Sequence, residues 1–270
     1  MYDGGLGRLK DNREGENMRV IYVPKGRALE YSLLAINHYK GCSHGCVYCY
    51  ARKMMSVLTG EKFEEPTARH GIIDNLIREA PRYAGTDKRV LLCFTCDPYQ
   101  QLDEKEKVTR SVIEVLKHND IHFQILTKGG LRAVRDFDLY TEGDAFATTL
   151  TFTDKFESVI KEPGAALPAE RIEAIRIAHE RNIETWVSLE PVLDDEQSLE
   201  IIRMTSDFVD LFKIGKLNHF HSKINWREFG IKAIELCRKL RKDYYVKNDL
   251  AEWLKGVEFT NVDTRRITKN

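Results

Sequence analysis

Residues 37 to 52 read Asn37-His38-Tyr39-Lys40-Gly41-Cys42-Ser43-His44-Gly45-Cys46-Val47-Tyr48-Cys49-Tyr50-Ala51-Arg52. Cys42, Cys46 and Cys49 follow a C-x-x-x-C-x-x-C spacing that puts three thiols on one tight turn. Thiolates are the protein ligands suited to a cubane iron–sulfur cluster. A cubane has four irons, so three cysteines leave one iron open, and an open metal position serves chemistry when a small molecule fills it. Gly41 and Gly45 supply the backbone freedom that a loop wrapped around a cluster needs. A competing set is Cys42, His44, Cys46 and Cys49 around zinc. Zinc modules, however, usually split their ligands into two pairs about a dozen or more residues apart, and four ligands between positions 42 and 49 would be cramped.

The apolar run Leu33 to Asn37 leads into this loop as a strand, and strand, cofactor loop, helix is the order an α/β barrel requires, because its chemistry sits on loops at the strand C-termini. The chain continues in the same alternation. Further strands are predicted over 89–96, 122–127, 145–149, 184–190 and 210–214, and a short one over 21–23. Helices are predicted over 65–78, 105–118, 130–135, 168–181, 198–204 and 226–241. The count is six βα units, against eight in a complete barrel. Periodicity alone leaves a full barrel or a doubly wound sheet open. Residues 1–30 read as an N-terminal arm, polar and glycine-rich over its first 20 residues, residues 31–242 as the α/β unit, and residues 243–270 as a C-terminal extension packed on it, with Tyr244-Tyr245-Val246 as an edge strand.

A chain of 270 residues, 42% hydrophobic, can bury a core of barrel size. Lys plus Arg and Asp plus Glu each number 42, so the formal net charge is zero. A neutral total gives no support to a large nucleic-acid footprint and leaves room only for a local basic strip. The start, Met-Tyr-Asp-Gly-Gly, lacks the apolar core of a signal peptide, and no run of about 18 apolar residues occurs. A soluble cytoplasmic protein with no membrane partner is expected. Six cysteines, three of them in one loop, read as cofactor chemistry and not as a disulfide framework.

On the residues just quoted, the loop resembles the signature of the radical S-adenosylmethionine superfamily, with aromatic Tyr48 directly before the third cysteine. The whole stretch 37–52 more narrowly resembles the spore photoproduct lyase-like family of DNA-repair radical enzymes, and the likeness runs over residues 33–135. It implies a partial (β/α)6 TIM-type barrel, a [4Fe-4S] cluster on Cys42, Cys46 and Cys49, and S-adenosylmethionine chelated to the open iron. One electron from a reducing donor of the flavodoxin or ferredoxin type then yields a 5′-deoxyadenosyl radical that abstracts hydrogen from a substrate. A nucleobase in DNA is the expected substrate, with repair or thymine modification of lyase or isomerase type. Two alternatives stand beside it: modification of a free nucleotide, amino acid derivative or peptide, and a non-catalytic iron–sulfur or zinc-binding module.

The same resemblance assigns further residues. Thr95, Cys96 and Asp97 stand where many radical enzymes carry a glycine-rich turn that holds the amine of S-adenosylmethionine, and Asp97 is suited to a charge-assisted bond. Lys128 is expected on the methionyl carboxylate, with Gly129 and Gly130 allowing close backbone approach. Tyr48, Thr149, Ser188 and Glu190 complete the expected cofactor set, the last two sharing one strand face by the period of two. Cys96 is the expected hydrogen donor to a product radical. Cys93 and Cys96, if both on a strand, point to opposite faces and do not share a metal. Tyr99, Lys216, His219 and His221 are the expected substrate contacts, because the mixed basic and aromatic loop 215–223 suits phosphates and bases.

Overall fold

The apolar runs assemble into one seven-stranded sheet in which every neighbouring pair is parallel. This is a computed structural model, and it describes residues 19–52, 54 and 62–267. Most of the arm expected at the N-terminus, residues 1–18, lies outside the described residues. The sheet comprises β1 (Leu34–Ile36), β4 (Val90–Leu92), β5 (Phe123–Thr127), β6 (Ala145–Thr149), β7 (Glu184–Leu189), β8 (Leu211–Ile214) and β9 (Asp243–Val246), in that spatial order. β2 (Tyr39–Lys40) and β3 (Thr67–Ala68) form a separate antiparallel pair. Each sheet strand lies beside its predecessor and helices carry the crossovers, so the fold is α/β, a partial TIM-type barrel.

Both faces of a parallel sheet are covered, and its strands are accordingly apolar throughout. The outer face carries Phe123, Ile125, Phe146, Val187 and Phe212, packed against helices that include Val108–His118 and Trp226–Lys239. The inner face buries Ala35, Leu91, Ala145, Ala147, Trp186 and Leu211 together with Tyr31. Small Ala145 and Ala147 on β6 leave room for the indole on β7, the large-against-small alternation that fills a narrow barrel.

The structure differs from expectation in the bounds of several elements. The end of the expected arm is attached to the sheet, and the short strand expected over 21–23 is a single bridge at Tyr22. Val20 and Ile21 are buried, the Val20 amide donates to Glu79 at 2.6 Å, and Tyr22 bridges Ala35. The helix expected over 65–78 begins only at Ile72, because Gly71 sits at a left-handed φ of 63°; the residues before it form β3. Residues 243–246 form the edge strand expected there, pairing parallel with β8 as the seventh strand of the sheet. Asn261 closes the free edge of β9 by accepting from the Val246 amide at 2.7 Å and donating to the Val246 carbonyl at 3.0 Å. The sheet is thereby protected from open-edge pairing. No helix among the described residues is long and apolar enough to cross a membrane.

Candidate functional site

Period-two alternation carries the inner face out of the barrel at the strand C-termini. Continuing each strand by up to three residues brings Cys93 and Thr95 (after β4), Lys128 (after β5), Thr149 (on β6), Ser188 and Glu190 (β7) and Lys247 (after β9) to one mouth. There they line a cavity of about 660 Å³, and Cys42, Cys46 and Cys49 form part of the same wall.

The cysteine loop is shaped before any ligand arrives. Gly41 has φ of 75°, and a Cβ there would lie 2.5 Å from the Phe63 carbonyl oxygen, which accepts from the Cys42 amide at 2.7 Å. The Val47 amide donates to Lys161 and the Gly164 amide to the His44 carbonyl, at 2.9 and 2.8 Å. All three cysteines are free thiols. Burial pushes the Cys46 thiol up to about 11 and raises Cys42 further. Such thiols stay protonated until a cation replaces the proton, the usual behaviour of a metal site.

His44 does not join them as a ligand. Arg132 donates to its Nε2 at 3.2 Å, which places the imidazole proton on Nδ1, 3.5 Å from Asp97. Neither nitrogen has a lone pair to offer, and no group of three or more His, Cys, Asp or Glu side chains among the described residues could hold a single metal ion. The four-ligand zinc reading therefore fails on geometry. Three thiols around one cavity wall, on a loop held by its backbone, fit a cluster that distributes its thiolates over separate irons.

Tyr48 lines the cavity and donates its hydroxyl to Glu162. Glu162 in turn accepts from Arg171 at 2.5 Å, with both side chains fully buried, and Arg171 also donates to the carbonyls of Ala166 and Thr149 at 2.7 and 3.1 Å. Burial by itself would raise the Glu162 carboxyl, but the Arg171 and Lys128 charges with the hydrogen bonds from Arg171 and Tyr48 together outweigh it and hold the group below the ordinary carboxylate range. Burial likewise lowers His44, here to about 4, against the raising effect of Asp97. Both shifts make the fold acid-labile. The unfolded chain takes up a proton at His44 near pH 6.5 that the folded chain refuses until about pH 4, so this stability is present above 6.5 and lost as pH falls. We expect about 2 kcal/mol of loss from this group between pH 7 and pH 5, read from urea midpoints. His44→Gln should flatten that pH dependence; an unchanged slope would place the acid sensitivity elsewhere.

Asn37 ties the end of β1 to the loop after β4, accepting from the amides of Phe94 and Thr95 at 2.7 and 3.1 Å. Asp97 is similarly occupied. It accepts from the Thr127 hydroxyl at 2.5 Å and from the Lys128 and Tyr99 amides at 2.7 and 2.9 Å. The expected cofactor acceptor is thus first a brace joining two mouth loops, and these donors with His44 hold its pKa down against burial. Lys128 extends over the Tyr48 ring at 5.7 Å. Across the cavity, Glu190 accepts from Tyr31 at 2.6 Å, from Asn218 at 3.0 Å and from Lys247, and Tyr31 also meets Ser188 at 3.1 Å.

Thr149, Ser188, Glu190, Lys216 and His219 all reach the cavity, as expected. Tyr99 does not. Its side chain is buried in the core beneath Gly129, where a Cβ would lie 2.5 Å from Tyr99 Cβ, so the close approach permitted by this glycine is to Tyr99 and not to a ligand. His221 also misses the cavity and lines a separate recess of about 450 Å³ with Leu193 and Asn225, because the chain turns at His219, φ 65°. Cys93 and Cys96 are not strand residues: β4 ends at Leu92, and both thiols line the cavity. Sequence reading missed Tyr31, Asn218 and Lys247. Reading 243–246 as a seventh strand would have placed Lys247 at its C-terminal end; nothing local marks Tyr31.

The family model described as the Radical SAM superfamily matches residues 36–209. An uncharacterized protein of Methanocaldococcus jannaschii is 27% identical over 187 residues, 68% of this chain and 70% of that one. An uncharacterized protein of Acidianus two-tailed virus is 26% identical over 234 residues, 81% and 76% of the two chains. Among solved structures, spore photoproduct lyase complexed with dinucleoside spore photoproduct superposes with a TM-score of 0.66 at 14% identity, over 83% of this chain and 79% of that one. Streptococcus suis SuiB bound to S-adenosylmethionine gives 0.60 at 12% identity, over 84% and 53%. At these identities the structural likeness is one of fold.

Proposed function

We propose, from the premise that this chain belongs to the radical S-adenosylmethionine superfamily, that it cleaves S-adenosylmethionine reductively at a [4Fe-4S] cluster and takes a hydrogen atom from a nucleobase in DNA. The observation carrying the reading is that Cys42, Cys46 and Cys49 share one cavity with the C-terminal ends of the barrel strands. When bound, the cluster and S-adenosylmethionine, with one electron from a flavodoxin- or ferredoxin-type donor, supply a carbon radical.

The chain's own residues hold and enclose that chemistry. Cys42, Cys46 and Cys49 would ligate three irons. Lys128, which has no carboxylate partner among the described residues, would take the methionyl carboxylate. The Thr95 backbone, held by Asn37, would meet the methionyl amine, and Thr149, Ser188 and Glu190 would meet ribose hydroxyls. Ala28, Phe94 and Leu126 give the cavity apolar walls that exclude water from a reactive intermediate. Cys96 would return a hydrogen atom to the product radical.

DNA as substrate is supported by the rim. Lys25, Arg27, Lys216 and His219 line the cavity of a chain that is neutral overall, Arg27 being paired with Asp249 at 2.7 Å, and exposed Tyr50 lies in the cysteine loop with exposed Phe220 next to His219 in sequence. Cations that position phosphates beside rings that stack bases suit a nucleic acid. Anaerobic reconstitution, then dithionite and S-adenosylmethionine, should release 5′-deoxyadenosine, and no cleavage with or without DNA would sink the reading. For DNA binding we expect log K to fall with log salt at a slope of about −2 to −3 for two or three phosphates engaged. Lys25→Ala should reduce that slope by about 1. A flat salt response with intact cofactor cleavage would move the substrate to a free nucleotide or peptide.

A further inference from the structure

Two thiols on the cavity wall stand outside the cluster loop. Cys93 and Cys96 follow the end of β4, both line the cavity, and their sulfurs face the adjacent residues His38 and Tyr39. Cys93 Sγ also lies 3.3 Å from His38 Nδ1. The His38 ring is oriented by a third group. The Thr109 hydroxyl gives its proton to the Pro98 carbonyl at 2.5 Å, so it must accept from His38 Nε2 at 2.9 Å. That puts the imidazole proton on Nε2 and aims the Nδ1 lone pair at Cys93. A thiol next to a base that is itself held by a third group is the arrangement that activates a sulfur nucleophile. Cys96, by contrast, donates its proton to the Tyr39 carbonyl at 3.4 Å.

We propose that Cys93 and Cys96 are a redox-active dithiol of this cavity, with Cys93 as the nucleophile, His38 as its base and Cys96 as the resolving thiol, and with small disulfides and dithiols as co-reactants. The Cys93 sulfur attacks one sulfur of an external disulfide; a Cys93–sulfur bond forms, the external S–S bond breaks and one thiolate leaves. Cys96 then attacks Cys93, forming the internal disulfide and expelling the second thiolate. The two protons, one released by Cys93 through His38 and one from Cys96, end on the two departing thiols. The external disulfide gains two electrons and the cysteine pair loses them.

Other groups facing the pair are consistent with this division. Tyr22 and Tyr39 are phenols raised by burial and so neutral, and Arg69 is the neighbouring cation. Burial would raise the Cys93 thiol, but neighbouring Cys96 and the His38 side chain together outweigh it and lower it, while burial and the adjacent Cys93 raise Cys96. An acidic thiol paired with a protonated one is the form that attacks and resolves.

The test uses cluster-loaded protein held anaerobically in glutathione buffers of stepped oxidised-to-reduced ratio, then acid-quenched, alkylated with N-ethylmaleimide and digested with trypsin. Cys93 and Cys96 share the tryptic peptide 90–105, separate from 41–52 with the cluster cysteines and from 233–238 with Cys237. Peptide 90–105 should pass from two alkyl groups to none, with loss of two hydrogens, as the ratio rises. Cys96→Ser should trap glutathione on Cys93, and His38→Gln should slow alkylation of Cys93 by about tenfold at neutral pH. A peptide that stays doubly alkylated at every ratio overturns the pair, and an unchanged rate in His38→Gln overturns the base. Neither readout involves S-adenosylmethionine or a substrate, so both are independent of the radical reading.

Discussion

Serine in place of Cys42, Cys46 or Cys49 is expected to reduce iron from about four per chain to a small fraction of that, and to lower 5′-deoxyadenosine release to about one hundredth or less. The size of the effect follows from the wall they share. Each thiol stands on a loop whose backbone bonds to Phe63, Lys161 and Gly164 are independent of the cysteine side chains. The loop should therefore persist with one ligand missing, and the loss should be specific to the metal. A hydroxyl is a poor substitute for a thiolate on iron. Iron and sulfide assays and the visible absorption of the reconstituted protein read the first quantity, and anaerobic turnover reads the second. Unchanged iron content in all three variants would end the cluster assignment.

Arg171→Met should be the most destabilising single change away from the thiols. The guanidinium is fully buried and donates to Glu162 and to the carbonyls of Ala166 and Thr149. Removing one member of a buried ion pair leaves the other charged and uncompensated, a cost of about 3–5 kcal/mol. For a chain of this length that corresponds to roughly 6–20 °C in melting temperature. Glu162 also anchors the Tyr48 hydroxyl, so the variant should weaken iron retention as well. Arg171→Met combined with Glu162→Gln should recover part of the loss, because the stranded charge is gone. A single variant melting within about 2 °C of wild type would show that the pair carries little of the stability of the cluster loop.

Much of this architecture is legible in one dimension. A run such as Val90-Leu91-Leu92 is apolar because parallel strands are buried on both faces, and this property is local. The three thiols are equally local, since all sit within one turn. The limits of elements were harder to place. Gly71 and the left-handed Lys107 end or split helices that periodicity would have continued. Tyr244-Tyr245-Val246 reads as an edge strand in the sequence, but its parallel place beside β8 depends on the six units before it.

The sequence alone determined that Cys42, Cys46 and Cys49 stand together at the heart of the candidate site, because they are neighbours in the chain and their spacing is itself the geometry. It also determined the α/β class, through the alternation of apolar periods. Tertiary structure decided which more distant side chains face that loop. Tyr31 meets Glu190 across 159 residues and Lys247 meets Glu190 across 57. His38 reaches Cys93 and Thr109 only when β1 lies beside β4. It likewise consigned Tyr99 to the core and His221 to another recess. A side chain's direction near a mouth depends on strand ends and loop turns that long-range pairing sets, and no local pattern encodes that pairing.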